Sequence, residues 1–105
     1  MKDFNVIANL PEVVGAVLSD PSGTLLDWSG DIDGEVAGAV NAFSVRSLGR
    51  AGELLGLGTF QRASIVGQTK ACVISLQADA VLGTYVDAGK PLAAIEKRLH
   101  ETLQK

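Results

Sequence analysis

Apolar residues recur along this chain with a period that changes several times, and each change marks an element. From Asp3 to Asn9 the apolar positions are Phe4, Val6 and Ile7, with Leu10 just beyond, and Pro11 stops any helix there; a short helical stub is predicted. Glu12 to Ser19 (EVVGAVLS) is a valine-rich run bounded by turn residues, the pattern of a buried strand. The run Asp20-Pro21-Ser22-Gly23 is a turn, because proline pre-sets φ and glycine permits positive φ. Thr24 to Trp28 then returns as the second strand of a β-hairpin.

A helical period follows. Asp31 is the expected N-cap, its carboxylate accepting free amide hydrogens of the first turn, and Glu35 suits the positive end of the helix. The helix is predicted over 32–55, with Gly56 as its stop. Val36, Val40, Phe43, Ser47, Ala51 and Leu54 share one face and are expected to pack on a sheet. Beyond Gly56 the period drops to two. Strands are predicted over 59–66, 70–77 and 80–86, with Gly67-Gln68-Thr69 and Ala78-Asp79 as connections. In the first of these Phe60, Arg62, Ser64 and Val66 share one side, and Thr59, Gln61, Ala63 and Ile65 the other. The segment from Asp87 to Pro91 ends the sheet, and Pro91 suits the first turn of a last helix carrying Leu92, Ile95, Leu99 and Leu103. The expected class is α/β, an α+β sandwich. A five-stranded antiparallel sheet is flanked by a long central helix and a C-terminal helix, in the order two strands, helix, three strands, helix.

The central helix carries an anomaly. Gly34, Ala37, Gly38, Ala39, Ala42, Ser44, Gly49, Ala51 and Gly52 leave much of its circumference lined with small residues. Each glycine costs a helix interior about 1 kcal/mol relative to alanine. Small residues let a second backbone approach closely. A homodimer is therefore expected, its two-fold axis pairing this helix antiparallel with its mate through Gly38, Ala42, Val45, Gly49 and Gly52. Arg46, Arg50 and Glu53 would exchange charges at the rim. The competing expectation is a monomer in which the helix lies between the sheet and the terminal helix.

Length and charge bound the function. At 105 residues and 10.9 kDa one domain, 1–105, is expected. The net charge of −3 and the scattered lysines and arginines disfavour nucleic acid and anionic membrane surfaces. No segment approaches the ~20 apolar residues of a membrane span. The N-terminus lacks a signal-peptide core and Cys72 is the only cysteine, so a cytoplasmic location is expected.

A search for chemistry finds turns and caps instead. Gly56 to Gly58 lacks the lysine and spacing of a phosphate loop. His100 stands alone near the end of the last helix, and Cys72 has no histidine partner. Asp20, Asp27, Asp31 and Asp33 do not follow a calcium-loop spacing. No catalytic set, cofactor or metal is expected. Trp28 either packs on the sheet rim or anchors a partner, and Arg62 is a second candidate partner contact.

Taken together, LPEVVGAVLSDPSGTLLDWSG, the helix EVAGAVNAFSVRSLGRAGELLGLG, the strands RASIVG, KACVISL and AVLGTYVD, and the closing PLAAIEKRLHETL resemble the roadblock/dynein-light-chain family. The likeness spans nearly the whole chain, with Gly15, Asp20, Gly23 and Leu57-Gly58 as its sharpest points. The resemblance implies a homodimer in which the long helices pair and the strand after them joins the sheets edge to edge, through Thr59, Gln61 and Ala63. It implies Ras-like small GTPases or other signalling proteins as partners, with stimulation of GTP hydrolysis in some bacterial members. The related profilin-like architecture leaves a small-molecule-sensing domain as the alternative function.

Overall fold

The computed structural model describes residues 4–77, 79–89 and 92–103. The predicted roles of Asp3, Ala78, Lys90 and Pro91 lie outside the described residues. The elements are α1 (Phe4–Ala8), β1 (Val13–Ser19), β2 (Leu25–Gly30), α2 (Gly34–Leu54), β3 (Arg62–Val66), β4 (Lys70–Gln77), β5 (Ala80–Asp87) and α3 (Leu92–Leu103). All neighbouring strands are antiparallel and the sheet runs β2-β1-β5-β4-β3, so β2 and β3 are its edges. No helix among the described residues is long and apolar enough to cross a membrane.

One face of the sheet carries the larger apolar core. Ala16 and Leu18 of β1, Ala71 and Val73 of β4, and Leu82 and Val86 of β5 meet Phe4 and Ile7 of α1 and Ile95 and Leu99 of α3. Two polar contacts hold α3 in place: Arg98 pairs with Glu12, and Ser64 Oγ of β3 donates to Glu96 at 2.6 Å. Thr84 is fully buried in the middle of β5, and its hydroxyl has no hydrogen-bond partner in the protein.

The opposite face lies under α2, and here the structure reverses the expected orientation. The sheet-facing positions of α2 are Gly34, Gly38, Asn41 and Ala42, all buried. Val36, Val40, Phe43 and Leu54 point outward, at 59%, 55%, 62% and 78% exposure. The reason is the closeness of the contact. A Cβ on Gly38 would lie 3.3 Å from Ser19 Cβ, and Ser19 Oγ donates to Gly38 O at 3.3 Å. One turn on, Asn41 fills the space above Gly83, where an added Cβ would fall 2.1 Å from its amide nitrogen. The Asn41 amide is hydrogen-bonded to the Tyr85 hydroxyl at 3.2 Å. A helix seated this low leaves no room beneath it for valine or phenylalanine.

Two boundaries shift for local reasons, and one falls where expected. The N-cap is Asp33 rather than Asp31, since its carboxylate accepts from Val36 N–H at 3.2 Å. The helix ends as expected at Gly56, which takes φ +76°. There Gly56 N–H bonds Glu53 O, and Leu57 N–H bonds Gly52 O. β3 starts at Arg62, so Thr59 and Gln61 precede it, although Gln61 O still accepts from Leu76 N–H at 2.9 Å.

Two substitutions test this packing. Gly38→Leu should lift α2 from β1 and destabilise the protomer by about 2 kcal/mol, read as a lower denaturation midpoint. Thr84→Val should raise the midpoint by removing an unpaired buried hydroxyl at constant shape, worth about 1 kcal/mol.

Candidate interaction surface

The outward side of α2 is built from residues at spacings of four and three. Val36, Val40 and Phe43 form its apolar stripe, and Ser47, Arg50 and Leu54 continue the same line. Beside this stripe β3 is left largely uncovered, because α2 lies mainly over β1, β5 and β2. Ile65 of β3 faces the α2 side at 52% exposure. Between helix and strand runs a shallow apolar groove of about 510 Å³, lined by Ile32, Val36, Val40, Ile65, Cys72 and Tyr85.

The residues expected to form an interface distribute unevenly. Gly38 and Ala42 are inside the protomer, against its own sheet, and leave the candidate surface: their small size serves helix-on-sheet contact. Val45 is half-buried. Arg46 is exposed and donates to Pro21 O at 2.8 Å, tying α2 to the hairpin. Gly49 is half-buried beside Phe60, and Gly52 lies in the last turn of the helix. Thr59 and Gln61 are exposed ahead of β3, and Ala63 is half-buried within it. Arg62 lies on the other face, lining with Glu96 and His100 a pocket of about 270 Å³ under α3. Trp28 stands on the β2 edge at 49% exposure.

The apolar members of the surface, Val36, Val40, Phe43 and Ile65, were assigned elsewhere or overlooked by sequence reasoning. A signal for the reversal existed. Gly34, Gly38, Asn41, Ala42 and Val45 also follow the three-four spacing, and a lone asparagine within a run of small residues marks a helix held close to a polar partner.

The groove floor holds the only clearly perturbed titratable groups of the surface. Burial pushes the Cys72 thiol up to about 11, opposed by its hydrogen bond with Tyr85. Burial pushes the Tyr85 hydroxyl up to about 12, with the neighbouring Cys72 adding to the rise. Both groups are neutral at physiological pH, so this pair presents a thiol and a phenol rather than a nucleophile. Among the described residues no group of three or more His, Cys, Asp or Glu side chains could hold a metal ion.

Known structures resemble this chain closely in three dimensions. MglB of Myxococcus xanthus superposes with a TM-score of 0.86 at 19% identity, covering 99% of this chain and 90% of that one. A Roadblock/LC7 domain from Streptomyces avermitilis gives 0.81 at 14% identity, covering 95% and 87%. An MglB in a tetrameric arrangement gives 0.83 at 16% identity, covering 97% and 80%. No protein-family model matches the chain, and no curated protein does. The fold is therefore that of the roadblock/LC7 domains.

Cys72 offers a check on the groove. With its thiol raised from 9.0 to about 11, the folded protein should hold about a hundredfold less thiolate at pH 8 than the unfolded chain. Alkylation by iodoacetamide, followed by mass spectrometry with and without urea, should differ by at least that factor. Equal rates would mean the groove does not desolvate the thiol. The sign for stability follows: ionisation favours the unfolded chain, so stability falls as pH rises past 9.0.

Proposed function

We propose that this chain, whose fold is that of the roadblock/LC7 domains, is a non-enzymatic regulatory module that works as a homodimer and acts on a Ras-like small GTPase or another signalling protein. The observation that carries the reading is the apolar surface running from Val36, Val40 and Phe43 of α2 onto Ile65 of the uncovered edge strand β3. Burying a side chain of this kind is worth about 1.5–3 kcal/mol, and a monomer leaves four of them half in water.

A second copy fits this surface by symmetry. Antiparallel pairing about a two-fold axis centred on Phe43 sets Val36 against Arg50 and Val40 against Ser47 of the other copy. The same axis lets β3 add to β3, satisfying the outward backbone groups of an edge strand. The β2 edge suits this less, since the Asp27 carboxylate already accepts Trp28 N–H at 2.8 Å. Self-association is also supported by the tetrameric arrangement found for an MglB of this fold. The GTPase as partner rests on the family resemblance in the sequence. A small-molecule sensor, the alternative, would need the groove beside α2 to stay open in solution.

Light scattering at micromolar concentration should give twice 10.9 kDa. Phe43→Asp should give a folded monomer. Val40→Asp should do the same, since it lies on the same stripe. A wild-type monomer would remove the homodimer from this reading. Pull-down with Ras-like proteins in each nucleotide state tests the partner, and equal indifference of all of them would remove the GTPase.

A further inference from the structure

Trp28 belongs to a second surface, apart from the α2–β3 face. Between Lys2 and Arg46 the chain carries Asp3, Glu12, Asp20, Asp27, Asp31, Asp33 and Glu35 and neither lysine nor arginine. The fold gathers Asp27, Asp31, Asp33 and Glu35, all exposed, around the junction of β2 with the first turn of α2. Among the described residues none of these four has an ion-pair partner. Beside them, on the α2 side of the edge strand, stand Trp28 and Leu26, at 49% and 55% exposure.

The indole is held rather than loose. A Cβ on Gly34 would lie 2.8 Å from Trp28 Cγ, so the ring rests on the glycine of the first helical turn and keeps its remaining surface toward solvent. A fixed aromatic ring attracts a cation over its face, and surrounding carboxylates add to that attraction while repelling acidic partners. An apolar side chain would find Leu26 beside the ring, but the fringe of uncompensated negative charge selects for cations.

We propose that Trp28, Leu26 and the carboxylates of Asp27, Asp31 and Glu35 form a docking surface for a lysine- or arginine-bearing segment of a partner protein. One cationic side chain stacks on the indole, and neighbouring basic residues face the carboxylates. Strand addition plays no part, because Asp27 occupies the Trp28 N–H. The surface is independent of self-association, as it lies on the opposite edge of the sheet from β3.

Trp28 is the only tryptophan, so its emission reports on this surface alone. Caesium should quench it more strongly than iodide at equal ionic strength. A tri-arginine peptide free of aromatic residues should change the emission saturably and lose affinity as salt is raised. Asp31→Asn combined with Glu35→Gln should weaken that peptide about fivefold, and Trp28→Leu, followed by calorimetry, by a similar factor. Glu53→Gln combined with Asp87→Asn, carboxylates away from the surface, should leave it unchanged. The Phe43→Asp protein should bind the peptide as the wild type does, which separates this surface from the dimer. Preferential quenching by iodide, a linear response, or equal weakening by the two pairs of carboxylate substitutions would overturn the proposal.

Discussion

The close seating of α2 on the sheet governs the rest of this structure. Gly38 rests on Val17 and Ser19, and Asn41 reaches over Gly83 to the Tyr85 hydroxyl. These contacts are short because nothing larger intervenes. They also fix the rotation of the helix about its axis, since asparagine has one buried polar partner and no substitute if the helix turns. Once that rotation is set, Val36, Val40 and Phe43 have nowhere to point but outward. The exposed stripe is thus a consequence of the buried one.

This arrangement divides the sheet into two sides with different tasks. On the α1 and α3 side, apolar side chains from strands and helices form a continuous core, and polar pairs such as Ser64 with Glu96 hold its rim. On the α2 side, the packing is thin and relies on close backbone approach and a few hydrogen bonds. Stability rests mainly on the first side. The second is free to present large apolar residues, at the cost of solubility unless something covers them.

Much of the fold was legible in the sequence. The predicted β4 coincides with Lys70–Gln77, and β5 and the helix stop at Gly56 fall within a residue of expectation. These were readable because alternation and glycine punctuation are local signals. The start of α2 was misplaced by two residues because Asp31 and Asp33 are equivalent as caps in sequence, and only the backbone course after Gly30 selects Asp33. The rotation of α2 was not legible. Both of its stripes follow the helical period, and the choice between them depends on Tyr85 and Gly83, more than forty residues distant. Large apolar residues read as core in the sequence because burial usually favours them. The small stripe prevailed because close approach and a buried amide pair were available to it. Gly38 and Ala42, expected on the outward side of α2, therefore lie on its sheet-facing side.

The two edges of the sheet show how one chain can keep two contacts apart. Both edge strands expose backbone groups, and an unprotected edge pairs with whatever strand it meets. At β2, Asp27 caps the Trp28 amide, and the surrounding carboxylates repel any second copy of the same edge. At β3, Arg62 to Val66 carries a single charge at its first residue and outward-facing apolar side chains. Two β2 edges cannot approach without setting like charges together, while two β3 edges meet no comparable barrier. Charge therefore decides which edge is available for self-pairing, and it does so by excluding one rather than by strengthening the other. The same carboxylates that protect β2 from its own kind leave Trp28 accessible to a partner of opposite charge, so protection against one association and selection for another come from a single set of residues.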